Sequence, residues 1–142
     1  MNRLTQLDEQ ALILAIEAAE KNTSGEIRVH ITAQCKSDPF EEALRVFQKL
    51  EMEKTKARNG VLVFLALEDR KMALVADKGI NDLVPSDFWQ STRDIMISHF
   101  KQDEILEGLK KGLHEIGQQL STYFPHESND TNELSNDISY DD

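Results

Sequence analysis

Seven consecutive residues, Val61 to Leu67, carry no polar side chain, and this run constrains the fold more than any other feature. A strand with one solvated face alternates apolar and polar residues. An unbroken run of this length fits a central strand covered on both faces. Arg58-Asn59-Gly60 leads into it, Glu68-Asp69-Arg70-Lys71 makes a short polar turn after it, and Met72 to Ala76 follows as an antiparallel partner. The run is also far short of the roughly 18 apolar residues that a membrane span needs, so insertion into a membrane is not expected.

Helices and one further strand surround this hairpin. Thr5-x-x-Asp8 resembles a capping box, and Leu4, Leu7, Ala11, Leu14 and Ala18 recur at helical spacing to about Asn22. Thr23-Ser24-Gly25 breaks that helix. From Glu26 the pattern becomes strict alternation, with Ile27, Val29, Ile31 and Ala33 on one face and Glu26, Arg28, His30 and Thr32 on the other. Asp38-Pro39-Phe40-Glu41 combines an N-cap, a proline at the first helical position and an acid at the third, and Phe40, Ala43, Leu44, Phe47 and Leu50 form the expected buried face. Asp77 to Asp82 reads as a strand-ending turn. Pro85 opens a third helix with Phe88, Trp89, Ile95, Met96 and Phe100 inward, and the fourth steps through Leu106, Leu109, Leu113, Ile116, Leu120 and Tyr123 to a stop at Pro125. Gly108, Gly112 and Gly117 in that helix predict close approach to a neighbour.

The order αβαββαα predicts an α/β fold: a small mixed sheet of two parallel strands plus an antiparallel hairpin strand, with helices on both faces. The expected division is one domain over residues 1–125 and an acidic tail over 126–142. The tail holds six acids and no Lys or Arg. Its composition is that of a disordered segment, with Leu134, Ile138 and Tyr140 as its only apolar anchors, and packing of the tail along the body stays open as the alternative.

The net charge of −10 stays negative without the tail, because the body has 20 acids against 16 bases. Nucleic-acid binding is therefore not expected, since phosphate neutralisation needs clustered Lys and Arg. The N-terminal residues show no secretory pattern and Cys35 is the single cysteine, so a reducing, cytoplasmic location is the expectation. Cys35 reads as structural; the phosphatase loop of Cys, five residues, Arg fails because position 41 is Glu. His30, His99, His114 and His126 lack metal-ligand spacing, and Asp130-Thr131-Asn132-Glu133 begins like a calcium loop but fails at Leu134 and Ser135. No phosphate loop or dinucleotide fingerprint occurs, so no organic cofactor is expected.

The candidate site is geometric. With strands one and two parallel and strand three antiparallel, one rim of the sheet gathers Glu26, Arg58, Asn59, Asp77 and Lys78. Glu26, Asn59 and Asp77 offer hard oxygen ligands suited to calcium or magnesium, while Arg58 or Lys78 could hold a phosphate or contact a partner. Strand-end caps and salt bridges are the commoner fate of such residues. Asp69 and Arg70, at the opposite rim, read as turn residues.

Thr23-Ser24-Gly25-Glu26-Ile27-Arg28-Val29, Arg58-Asn59-Gly60-Val61-Leu62-Val63, Glu68-Asp69-Arg70-Lys71, Asp77-Lys78-Gly79-Ile80, Phe88-Trp89 and Asn132-Glu133-Leu134-Ser135 together resemble the TPM domain family, best its short stand-alone bacterial members. The family includes a thylakoid-lumen acid phosphatase, a photosystem repair factor and a receptor modulator. The resemblance implies a three-layer αβα sandwich, divalent-metal binding at Glu26, Asn59 and Asp77, and a weak phosphatase activity in some plant members. Two functions follow. One is a binding or accessory module for a protein partner, with membrane-protein quality control as a setting. The alternative is a metal-dependent phosphomonoesterase. The absence of an identifiable nucleophile or general acid near the carboxylates favours the module.

Overall fold

A computed structural model of the protein describes residues 4–127 and 132–141. The apolar run becomes β2, Gly60–Ala66, and every residue of it is buried. It lies between β1, Glu26–Thr32, parallel to it with Glu26 opposite Gly60, and β3, Lys71–Ala76, antiparallel to it with Val61 opposite Ala76. Alternate side chains of β2 feed two cores. Val61, Val63 and Leu65 join the larger one with α1 (Gln6–Glu20), and Leu62, Phe64 and Ala66 join the smaller one under α2 (Pro39–Lys49). After β3 come a single-turn α3 (Lys78–Asn81), α4 (Gln90–Lys101) and α5 (Ile105–Tyr123). Helices α4 and α5 close the larger core through Met96, Phe100, Leu109, Leu113 and Ile116. The result is the expected three-layer α/β sandwich.

Four details differ from expectation. A fourth strand, β4 (Ser139–Tyr140), pairs parallel to β1 and gives the sheet order β3-β2-β1-β4. Residues 132–141 therefore dock on the body despite their polar composition: Ile138 is buried in the larger core and Leu134 packs against the smaller one. Helix α1 buries Leu12, Ile16 and Ala19, leaving Leu7 77% and Leu14 66% exposed. Ala11 to Ile16 are all apolar, so periodicity could not choose between two candidate faces. On α2 the buried residues are Ala43, Val46 and Phe47, whereas Phe40 and Leu44 are exposed, because the helix lies over β3 near the sheet's edge. The third expected helix starts at Gln90; Pro85 opens a turn in which the Phe88 N–H bonds to the Pro85 carbonyl. Asp130 and Thr131, the start of the rejected calcium loop, lie outside the described residues.

The glycines of α5 act as close-approach points. A Cβ on Gly117 would lie 2.6 Å from the Ala19 carbonyl oxygen of α1, and one on Gly108 would lie 2.7 Å from the Phe100 ring of α4. Among the described residues no helix is long and apolar enough to cross a membrane.

Candidate functional site

The rim forms as the topology requires. Asn59 immediately precedes β2; its carbonyl accepts from the Glu26 N–H at 3.3 Å, and the Gly60 carbonyl accepts from the Asp77 N–H at 2.9 Å. Glu26, Asn59 and Asp77 are all buried, a costly position for polar groups unless each finds a partner.

The Asp77 carboxylate accepts three hydrogen bonds. Arg58 donates through Nε and Nη2, both at 2.8 Å, in a bidentate ion pair, and the Lys78 N–H donates to Oδ1 at 2.7 Å, making Asp77 the N-cap of α3. Its own backbone N–H meanwhile holds β2. Arg58 has a left-handed backbone, φ 52°, which an L-residue adopts only when its surroundings insist. The constraint comes from Gly79, whose N–H donates to the Arg58 carbonyl at 2.8 Å. A Cβ on Gly79 would lie 2.6 Å from that carbonyl oxygen. Lys78 points away and its Nζ pairs with Asp82 at 2.7 Å on the surface. Of the two predicted cations, then, Arg58 binds the rim carboxylate and Lys78 does not.

Glu26 is held by the C-terminal segment: the Leu134 N–H donates to its Oε1 at 2.8 Å, and beside it the Lys56 N–H donates to Glu133 at 3.0 Å. Asn59 is 1% exposed. Its Nδ2 makes only a long 3.5 Å bond to Ser24 Oγ, and its Oδ1 has no hydrogen-bond partner. A buried carbonyl oxygen without a donor costs about 1–3 kcal/mol, so this atom is the unfinished part of the site.

One carboxyl here escaped the sequence reading. Glu20, in the last turn of α1, accepts from the Ile27 N–H at 2.8 Å and also bonds Asn136. Burial, with Glu26 nearby, pushes its pKa up to about 7, against the bonds to Ile27 and Asn136, which act the other way. The available clue was position: an acid at a helix C-terminus opposes the helix dipole. The docked segment did carry a clue, since Asn132-Glu133-Leu134-Ser135 was one of the family-like strings, and Glu133 and Leu134 are its rim contacts.

Beside the rim a groove of about 640 Å³ runs between α2 and β3, floored by Leu44, Phe47 and Val75 and bordered by Arg58, Asp77 and Lys78. Cys35 is buried with its thiol donating to the Ser37 carbonyl at 3.3 Å, which suits its structural reading. Among the described residues no group of three or more His, Cys, Asp or Glu side chains is arranged to hold a metal ion.

Comparison with known proteins supports the fold. The BA42 protein of the psychrophilic bacterium Bizionia argentinensis, whose structure was solved by NMR, is 46% identical, covers 97% of this chain and 95% of its own, and superposes with a TM-score of 0.91. The N-terminal domain of a P. gingivalis protein, also an NMR structure, shares the fold at 21% identity, with 89% of this chain and 83% of that one covered and a TM-score of 0.70. A search of curated proteins found no match. The family model of the TPM domain matches residues 1–119, most of the chain, and the chain belongs to the TPM domain family.

Proposed function

We propose that this TPM domain is a non-catalytic binding module that engages a protein partner through the rim and its adjoining groove, in the setting of membrane-protein quality control that the family resemblance suggests. The observation that carries this reading is the state of Asp77. Its carboxylate accepts three bonds, from Arg58 Nε and Nη2 and from the Lys78 N–H, and is thereby committed to holding the rim together rather than aimed at a substrate. Among the described residues, the bonds to Asp77 come from Arg58 and Lys78 and those to Glu20 from Ile27 and Asn136, none of them a Ser, Cys or His that a carboxylate would activate as a nucleophile. A rim of paired charges beside the apolar floor of Leu44, Phe47 and Val75 has the composition of a recognition surface. The test is affinity capture with the wild-type chain against Arg58→Gln, each confirmed folded by circular dichroism. A partner retained by the wild type and lost by the variant is expected; equal retention sinks the rim as the contact.

A specific atom favours a second reading, a divalent-metal-dependent phosphatase. Asn59 Oδ1 is a buried hard oxygen lacking a donor, next to Glu26, which Glu20 supplies with a second carboxyl. The chemistry of these oxygens suits calcium or magnesium. Asp77 fits less well, because the Arg58 guanidinium already supplies its positive charge. Glu26 and Asn59 would hold the cation, which when bound would polarise a phosphoryl oxygen. Titration with calcium or magnesium, followed by backbone NMR, separates the readings: shifts centred on Glu26 and Asn59 are expected if the cation binds. An unshifted spectrum, with no hydrolysis of a general phosphomonoester and identical behaviour of Asp77→Ala, removes the second reading.

A further inference from the structure

At the end of the sheet opposite the rim, a second groove of about 620 Å³ opens between the start of α1, the end of β2 and the start of α5. Leu4, Leu67, Ile105 and Leu106 give it an apolar lining. Its charged residues are Asp8, Glu68, Asp103, Glu104 and Glu107, against a single base, Arg70, so the lining carries a formal charge of −4. Arg70 is itself paired with Asp103 across the opening. Two helices begin here, and each N-terminus contributes only about half a positive charge. Lys110 also lies beside it, with Nζ 3.9 Å from Glu107, and the groove stays negative after both corrections.

A separate feature runs into this groove. Helix α1 is apolar on two sides. One side packs into the core through Leu12, Ile16 and Ala19; the other presents Leu7, Leu14 and Ala18 to solvent, with Ala11 between them at helical spacing. Leu7, at the N-terminal end of the stripe, adjoins Asp8 of the groove. A leucine stripe left in water is an interaction feature when it is continuous with a recess, and the charge of this recess specifies the complement.

We propose that the outward stripe of α1 and the acidic groove at its N-terminal end form one docking surface for a basic amphipathic helix of a protein partner. The partner's apolar face would lie along Leu7, Ala11 and Leu14, and its lysines or arginines would reach Asp8, Glu68 and Glu107. This is the helix-on-helix mode of recognition, with the acids choosing sign and direction. The surface is independent of the rim, so either can fail without the other.

The test uses the full chain and a synthetic amphipathic helix of leucine and lysine, with the same helix carrying glutamate in place of lysine as control. Fluorescence anisotropy should show binding of the lysine helix alone, weakening as salt is raised. Backbone NMR shifts should fall on α1 and the start of α5. Leu7→Ser/Leu14→Ser, which alters only exposed side chains, should weaken binding by roughly tenfold or more, as should Glu68→Lys/Glu107→Lys. Glu41→Lys/Asp87→Lys, with the same change in net charge on other surfaces, should stay near wild type. The proposal is overturned if that control weakens binding equally, if both helices bind alike, or if the shifts fall at the rim. It also falls if the wild type is a dimer that Leu7→Ser/Leu14→Ser makes monomeric, because a second copy then covers the stripe.

Discussion

Glu20 and Asp77 show how one rim treats two buried carboxyls in opposite ways. Asp77 is surrounded by donors, whereas Glu20 has two bonds and faces another acid. For Glu20 the folded-state pKa is raised, from 4.5 to about 7. Between those values the folded chain keeps a proton that the unfolded chain has lost, so the contribution of this group to stability falls as pH rises through that window and is fully lost above it. The shift corresponds to at most about 3 kcal/mol, and to roughly 1–2 kcal/mol once water reaching a part-buried group is allowed for. Glu20→Gln retains an acceptor for the Ile27 N–H and removes the charge. Urea unfolding should show the variant more stable than wild type by that amount near pH 8 and equal to it near pH 4, where both forms are neutral. Asp77→Ala should behave differently, losing the cap of α3, worth about 1 kcal/mol, and also the Arg58 pair.

Elements follow the sequence wherever local pattern decides, and depart from it wherever contacts from distant residues do. The β2–β3 hairpin was legible because both sides of β2 are apolar and the turn after it is polar. Neither depends on the rest of the chain. The inward phase of α1 was not legible, because its apolar residues cover more than one face and only packing against α5 and β1 selects Leu12 and Ile16. Strand β4 carries no pattern at all: two residues, Ser139 and Tyr140, become a strand because β1 presents an edge to them. The rim was legible as a place, since parallel and antiparallel pairing bring Glu26, Asn59 and Asp77 together whatever their side chains do. Which oxygen stays unpaired was not, because that depends on the left-handed Arg58 and on Leu134 arriving from the other end of the chain. Gly79 ties α3 to this arrangement. Gly79→Ala would push a methyl group against the Arg58 carbonyl, so we expect a loss of about 1–3 kcal/mol in chemical unfolding, with the amide shifts of Arg58 and Asp77 displaced most.

At the scale of the molecule, the C-terminal segment closes the structure by holding β1 along its length and tying down the start of α1. Leu134 bonds Glu26, the Arg28 guanidinium donates to the Asp137 carbonyl at 3.2 Å, and the Tyr140 hydroxyl donates to Glu9 at 2.6 Å. The central clasp is His30, stacked on Phe64 with its ring nitrogens 2.9 Å from Ser139 Oγ and 2.8 Å from Asp141 Oδ1. Asp141 also accepts from the Thr32 hydroxyl. Burial, with Lys49 and Arg28 nearby, holds the His30 pKa below its ordinary value, and Asp141 only partly offsets this. Burial alone would raise Asp141, but its bonds from Thr32 and His30 keep it below the usual carboxylate range. Both shifts have the same sign for stability. The neutral histidine favours the folded state at neutral pH, and that contribution declines as pH falls below about 6.5, the ordinary imidazole value; the Asp141 contribution is lost only below about 4. Acidification should therefore release the segment first at His30. Hydrogen exchange at Ser139 and Tyr140 should accelerate between about pH 7 and pH 5, after correction for intrinsic rates, while the β2–β3 amides keep their protection. His30→Gln, which cannot titrate, should remove that pH dependence; an unchanged pH profile in the variant would show that the clasp does not set it.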